Sequence, residues 1–135
     1  MLQPERRSHW DKLAANPAHA PNLMEEHLRR DAPHRGLSRL TTHAVQLGGA
    51  TIPVGSTVRP LVGSANRDEA VFPDADTFVP GRSNIRKPLA LGRGIHVCVG
   101  AHLARTEADV ALGVLSSRLP NAQLERGFTA LFSRS

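Results

Sequence analysis

The sequence predicts an α+β fold that is mainly helical, for three reasons. Helical hydrophobic periodicity occurs in both terminal parts of the chain, short β-branched runs separated by turn residues lie between them, and a loop-rich stretch follows those runs. At 135 residues, one domain can bury roughly two thirds of its surface on folding. We therefore predict a single domain over residues 1–135, with helices, a small β-hairpin sheet and a cysteine-containing loop that leads into a C-terminal helix.

Two helices are predicted in the N-terminal part of the chain. The first covers residues 4–15, with a proline at an early position, and it ends at Asn16-Pro17. The second runs from about residue 21 to residue 30, has apolar residues at helical spacing and ends before Pro33.

The middle of the chain has the period of short strands. Gly48-Gly49 and residues 53–56 are turn signals between β-branched runs. We predict strands near residues 43–47, 50–52 and 57–62. Residues 66–87 are rich in turn residues and should form a surface loop that Phe72 and Phe78 anchor inward.

The last predicted helix covers residues 99–119 and directly follows Cys98, the only cysteine. Its expected buried stripe consists of Leu103, Val110, Leu112, Leu115 and Leu119. Glycines at positions 92, 94 and 100 bracket Cys98, which places the thiol on a tight loop at a helix N-terminus, where a thiolate is favoured. A charged, soft sulfur between glycines suits an axial metal position, above all that of haem iron.

Other interpretations of the cysteine remain open from the residues alone. A lone cysteine is most often a small buried hydrophobic residue or an inert thiol. His96, Cys98 and His102 could also supply three ligands to zinc or copper, since positions 98 and 102 share a helical face.

The segment around the cysteine resembles the signature Phe-x-x-Gly-x-His/Arg-x-Cys-x-Gly of the haem-thiolate monooxygenases called cytochrome P450. Here the motif positions are Leu91, Gly94, His96, Cys98 and Gly100, with Leu91 where the family places Phe. The resemblance implies haem b (iron protoporphyrin) as cofactor, Cys98 as its axial iron ligand and His96 as a propionate partner. It also places Leu91, Gly94 and Gly100 beside the haem.

A second part of the resemblance concerns three charged residues. Glu26 and Arg29 form Glu-x-x-Arg, and Phe78 to Arg82 is similar to the Phe-x-x-x-Arg that follows it in the family. The resemblance implies that Glu26, Arg29 and Arg82 form a buried ion-pair network with a structural role. Two cations need further acceptors beside one carboxylate, and breaking such a network would cost about 3–5 kcal/mol.

Residues 39–49 resemble the family hairpin Arg-x-x-Thr-x-x-x-x-Leu-Gly-Gly, and Ser-Ala-Asn-Arg-Asp follows at residues 64–68. By this resemblance Arg39 would pair with a haem propionate, a contact that a planar guanidinium makes well. The alternative is a solvated arginine at the end of a strand.

The resemblance covers about residues 2–124 but only the C-terminal part of a family member. The distal helix of the family would lie before Met1, so we expect a truncated domain that covers one face of the haem. Because soluble proteins avoid large exposed apolar patches, we expect a second copy or a partner chain to cover the distal face.

The charge and composition narrow the classes of partner. The net charge is +5, the basic residues are scattered, and no Tyr and one Trp accompany them, which argues against nucleic-acid binding. An acidic redox partner such as a ferredoxin suits this charge better. No signal peptide or membrane span is apparent, and the single cysteine is typical of a cytoplasmic protein.

The sequence therefore predicts a haem-thiolate oxidoreductase of the monooxygenase or peroxygenase type. The alternatives are a noncatalytic module that binds haem or a partner, one half of a split enzyme, and a remnant that binds no metal.

Overall fold

The computed structural model describes residues 4–85 and 88–123, which form two compact units. The first unit contains residues 4–24 and 100–123, and the second contains residues 25–85 and 88–99. The remaining residues of the predicted domain 1–135, including the C-terminal tail, lie outside the described residues.

The secondary structure confirms the mainly helical α+β class. The α-helices are α1 (Pro4–Ala15), α2 (Ala20–Arg30), α3 (Val62–Ala65) and α4 (Ala101–Arg118). The strands are β1 (Arg39–Leu40), β2 (Val45–Leu47), β3 (Ala50–Ile52) and β4 (Thr57–Val58). Short 3-10 helices cover Pro17–His19 and Gly94–His96.

Helices α1 and α4 pack against each other in the first unit. Leu13 of α1 is buried, and so are Ala101 and Ser116 of α4, whose small side chains allow a close approach. The indole N–H of Trp10 donates to the carbonyl oxygen of Leu119 at 3.0 Å, at the end of α4. Arg7 of α1 likewise donates to the carbonyl oxygen of Ala122 at 2.9 Å, so hydrogen bonds to the chain just after α4 add to the packing of Leu13.

The expected buried stripe of α4 is wrong for four of its residues. Leu103 and Val110 are 62% and 61% exposed, and Leu115 and Leu119 are exposed as well. The buried side chains of α4, Ala101 and Ser116, lie on the opposite face from Leu103 and Val110. Periodicity shows which residues share a face, but it does not show which face has a partner.

Two small two-stranded antiparallel sheets lie in the second unit, β1 with β4 and the hairpin of β2 with β3. The tight β2–β3 turn is made by Gly48 and Gly49, both with left-handed backbone at φ 58° and 81°. The strand predicted over residues 57–62 ends at Val58, because Pro60 has no N–H to continue the ladder. Strand β1 and helix α3 were not predicted.

The interior of the second unit is partly polar. Its buried apolar residues are Leu28, Phe72, Ala75 and Ala90. Phe72 anchors the loop-rich stretch as predicted, and its ring lies under the guanidinium of Arg29 at 5.5 Å from the centroid.

Within the described residues, every helix is too short or too polar to cross a membrane.

Candidate functional site: the cysteine loop and its buried support

Residues 88–99, here called the cysteine loop, are held by backbone hydrogen bonds. The amide of Gly92 donates to the carbonyl oxygen of Leu89 at 2.9 Å, which forms a turn at the start of the loop. The amide of Cys98 donates to the carbonyl oxygen of Leu91 at 2.8 Å and so joins the end of the loop to its start. The backbone at the cysteine is therefore fixed although its side chain is exposed.

The three glycines of this region differ in how strictly the structure requires a glycine. Gly92 has φ 78°, and a Cβ there would lie 2.4 Å from the carbonyl oxygen of His96, so only glycine is tolerated. Gly94 is also left-handed at φ 64°, but no described atom lies within 4 Å of a Cβ built there. Gly100 precedes α4 with φ −82°, which any residue can adopt.

Exposed apolar side chains flank Cys98 along the chain. Ile95 is 96% exposed, Val99 is fully exposed at 103%, and Val97 is exposed too, while Leu91 is half-buried. These side chains would lose contact with water if a flat apolar group lay against the loop with its centre at the sulfur. The exposed thiol and its apolar neighbours therefore fit the thiolate-bound haem that the sequence resemblance implies.

His96 and Arg39, the two expected propionate partners, both lie at the surface of the second unit. His96 ends the 3-10 helix of the cysteine loop and is exposed. Arg39 lies on β1, and its guanidinium donates to the carbonyl oxygen of its neighbour Ser38 at 3.1 Å. A pairing of either residue with a propionate stays a prediction.

The zinc or copper alternative finds no support in the structure. Among residues 4–85 and 88–123, no group of three or more His, Cys, Asp or Glu side chains could hold a metal ion. His96, Cys98 and His102 therefore do not form a ligand set of this kind.

The structure brings Glu26, Arg29 and Arg82 together in the interior of the second unit. The Glu26 carboxylate has no exposed area and accepts two hydrogen bonds from Arg29, Nη2 to Oε1 at 2.8 Å and Nε to Oε2 at 2.9 Å. Arg82 Nε donates to the same Oε1 at 3.1 Å, and the amide of Val79 donates to it at 2.9 Å. Such bidentate, charge-assisted contacts are strong when they are shielded from water.

Backbone carbonyl groups accept the hydrogen bonds that one carboxylate cannot. Arg29 donates to the carbonyl oxygens of Asn66 at 2.9 Å and Thr77 at 3.2 Å. Arg82 donates to those of Asp74 and Thr77, both at 2.7 Å, and to that of Pro73. The two guanidinium groups thereby fix the course of a loop that has little regular secondary structure.

The pKa of Glu26 is determined by two opposing effects. Burial alone would raise this pKa, because a charged carboxylate loses its hydration. Hydrogen bonds from Arg29, from the Val79 amide and from Arg82 outweigh burial and lower the pKa below its ordinary value of 4.5. Glu26 is therefore a charged acceptor in the native protein.

Sequence reasoning missed the support that two residues give to the cysteine loop. Asn66 is fully buried and its Oδ1 accepts the amide N–H of Leu89 at 2.7 Å. Gly92 is required for steric reasons by the backbone of His96. Neither contact has a periodic signature, and Asn66 was apparent only as one member of the Ser-Ala-Asn-Arg-Asp segment.

The chain is similar to known proteins in sequence and in structure. The family model described as "Cytochrome P450" matches residues 9–118. Erythromycin C-12 hydroxylase of Saccharopolyspora erythraea is 39% identical over 123 residues, which cover 90% of this chain and 31% of the relative. The 6-deoxyerythronolide B hydroxylase of the same organism is 42% identical over 120 residues, which cover 87% of this chain and 30% of that protein.

A solved structure has the same fold over most of the chain. The P450 heme domain of Tepidiphilus thermophilus superimposes with a TM-score of 0.84 at 38% identity, over 90% of this chain and 30% of that one. The chain thus spans about three tenths of the length of the relatives it matches.

Proposed function

Because the chain belongs to the cytochrome P450 family, we propose that it binds haem b through Cys98 as part of a haem-thiolate oxidoreductase of the monooxygenase or peroxygenase type. The observation that carries this proposal is the exposed Cys98, held by its backbone and surrounded by exposed apolar side chains. A thiolate-bound haem, when present, supplies the oxygen-activating chemistry of such enzymes.

The residues of the cysteine loop would bind and orient the cofactor. The bond from the Cys98 amide to Leu91 holds the backbone from which the sulfur projects. Ile95, Val97 and Val99 offer apolar surface that would exclude water from the sulfur once a flat apolar cofactor lay against it. Leu91 takes the place of an aromatic residue in the family motif.

Four polar or small positions complete the proposed haem site. The imidazole of His96 and the guanidinium of Arg39 are donors suited to propionate carboxylates. Gly94 has open space around its Cα, which would let a flat group approach the backbone. Gly100 would do the same immediately before α4.

Glu26, Arg29 and Arg82 would act on the structure and not on the substrate. Their hydrogen bonds are directed at each other and at backbone carbonyl groups, as expected of a buried support. Their part in the proposed function is to keep the residues that contact the cysteine loop in place.

The exposed apolar loop and the charge suggest the partners. We propose that a second copy or a partner chain covers the distal side of the haem, since a large apolar face left in water is normally covered. The net charge of +5 would attract an acidic electron donor such as a ferredoxin. The same exposed surface also favours a second candidate function, a noncatalytic module or one half of a split enzyme.

The absorption spectrum of the reduced, carbon monoxide-bound protein tests the iron ligand. We expect a Soret band of the thiolate type for the natural sequence, and its loss in Cys98→Ala. The control is Ser117→Ala, which removes one side-chain oxygen from α4 and should leave the band unchanged. A missing thiolate band in the natural protein, or one that survives in Cys98→Ala, would remove the proposal.

Turnover separates the two candidate functions. Oxidation of a model substrate with peroxide or with a reductase and ferredoxin would support the oxidoreductase. Full haem loading without turnover by either route would support the noncatalytic module.

The rate of haem release tests the propionate contacts. His96→Ala should release haem faster than His34→Ala, which removes another exposed histidine of the same unit.

A further inference from the structure

We propose that Asn66 is a positioning residue for the cysteine loop. The proposal rests on the proposed function only for its effect at the iron, because the contacts themselves involve protein atoms alone. Asn66 has no exposed area and lies at the end of α3, between the buried ion pair and the start of the cysteine loop.

Asn66 makes one hydrogen bond to the buried ion pair and one to the cysteine loop. Its backbone carbonyl oxygen accepts a hydrogen bond from Arg29 Nη1 at 2.9 Å. Its side-chain Oδ1 accepts the amide N–H of Leu89 at 2.7 Å. The same residue therefore joins the Glu26–Arg29 pair to the second residue of the cysteine loop.

Within the described residues, the bond to Leu89 is the one hydrogen bond of the Asn66 side chain. Its Nδ2 is buried and has no hydrogen-bond acceptor among the described residues. The orientation of the amide follows from chemistry, because the partner at Leu89 is an N–H and requires an acceptor. A substitution at position 66 thus reports on the bond to Leu89.

The contact is passed on to Cys98 through backbone hydrogen bonds. Leu89 accepts the amide of Gly92 at 2.9 Å, and Leu91, within that turn, accepts the amide of Cys98 at 2.8 Å. If the amide of Leu89 is released, the turn that carries Leu91 loses its hydrogen bond to the interior and keeps only the packing of Ala90 there. The backbone of Cys98, which is bonded to Leu91, is then less firmly held.

Amide hydrogen exchange in the haem-free protein tests the positioning role without using the iron. In Asn66→Leu, which keeps the approximate volume, a buried donor loses its acceptor, and the amides of Leu89 and Cys98 should exchange about 5- to 150-fold faster. The amide of Ala104, bonded within α4 to Gly100, should keep its rate. Asn22→Leu, the same change at an exposed position, should alter none of these amides.

Asn66→Asp keeps an acceptor at Oδ1 but buries a carboxylate oxygen where the unpartnered Nδ2 stood, which lowers overall stability. Relative to the amide of Ala104, the amides of Leu89 and Cys98 should therefore exchange more slowly in Asn66→Asp than in Asn66→Leu. Unchanged exchange at these amides in Asn66→Leu would overturn the proposal, and so would an equal acceleration that includes Ala104. If the variants fail to fold, a fast-exchanging Leu89 amide in the natural protein overturns it, and a protected one supports it.

The carbon monoxide spectrum then separates this inference from the proposed function. In haem-loaded Asn66→Leu, the share of protein with a thiolate-type band should fall relative to Asn22→Leu. If the natural protein shows no such band, the proposed function fails while the exchange result still decides the role of Asn66. If the natural protein shows the band and exchange in Asn66→Leu is unchanged, only the role of Asn66 is overturned.

Discussion

At the scale of single residues, the most consequential group is the carboxylate of Glu26. It accepts donors from its own helix and from a loop 53 to 56 residues further along the chain. Because none of its area is exposed, its charge is stabilised entirely by these donors. The spacing of Glu26 and Arg29 predicts a pair on one helix face, but the contribution of the Val79 amide has no signature in the sequence.

The lowered pKa of Glu26 makes the stability of the fold depend on pH. Since the folded pKa lies below the ordinary value of 4.5, this contribution is complete above about pH 4.5 and is lost as the pH falls through the folded pKa. At neutral pH we expect Glu26→Gln to lower the free energy of unfolding by about 3–5 kcal/mol. The difference from the natural protein should shrink on acidification, measured by urea denaturation at a series of pH values.

The matched control for this prediction is an exposed ion pair. Asp76 contacts Arg67 at 2.6 Å, but its side chain is 86% exposed. We expect Asp76→Asn to cost less than about 1 kcal/mol at any pH in the series. An equal cost for the two variants would contradict the importance assigned to burial.

Gly92 offers a prediction about steric exclusion. Gly92→Ala combines a left-handed backbone with a Cβ only 2.4 Å from the His96 carbonyl oxygen. Gly55→Ala has nearly the same φ, 77°, but no described atom within 4 Å of its Cβ. In denaturant titrations Gly55→Ala should cost about 1–2 kcal/mol, and Gly92→Ala should cost more. Equal losses would show that the backbone angle alone matters.

At the scale of the elements, local sequence signals predicted where the helices end, but they did not predict which helix face is exposed. The bounds of α1 and α2 follow from Asn16-Pro17 and Pro33, which act on the chain nearby. Strand β1 escaped prediction because two residues carry no periodicity, and it exists through its pairing with β4. The buried face of α4 could not be predicted, because burial depends on which element packs there.

Leu13 and Leu103 test the assignment of the buried helix faces. Leu13 is 1% exposed in α1, so Leu13→Ala should lower the free energy of unfolding by about 2–5 kcal/mol. Leu103→Ala makes the same change on the exposed face of α4, and it should stay within about 0.5 kcal/mol of the natural protein. Thermal and urea unfolding measure both, and a large loss in Leu103→Ala would show that this face is covered.

At the scale of the whole molecule, the order of the motifs predicted the family and the residues of the candidate site. The contacts that hold those residues in place could be identified only from the structure. The positions of Cys98, Glu26 and Arg82 follow from motifs whose spacing survives in the sequence. The tie from Asn66 to Leu89 joins segments separated by 23 residues. No local pattern records such a contact, because it depends on how the intervening loop folds back.

The exposed cysteine loop predicts self-association of the haem-free chain. Ile95 and Val99 are almost completely exposed apolar residues, so replacing both with Ser should weaken association without lowering the melting temperature. Sedimentation velocity over a range of concentrations measures this effect. Val54→Ser, at an exposed position of the hairpin region, is the control and should change little. A chain that remains monomeric at every concentration would contradict the prediction.

The hydrogen bonds donated to Glu26 also determine where an insertion into the chain is tolerated. They close a long ring of polypeptide, and the hairpin of β2 and β3 lies within that ring. Lengthening a flexible closed segment is inexpensive, since each doubling adds only about 0.6 kcal/mol. The turn at Gly48 and Gly49, where no described atom would meet an added Cβ, is therefore the place where extra residues or a peptide tag would disturb the protein least.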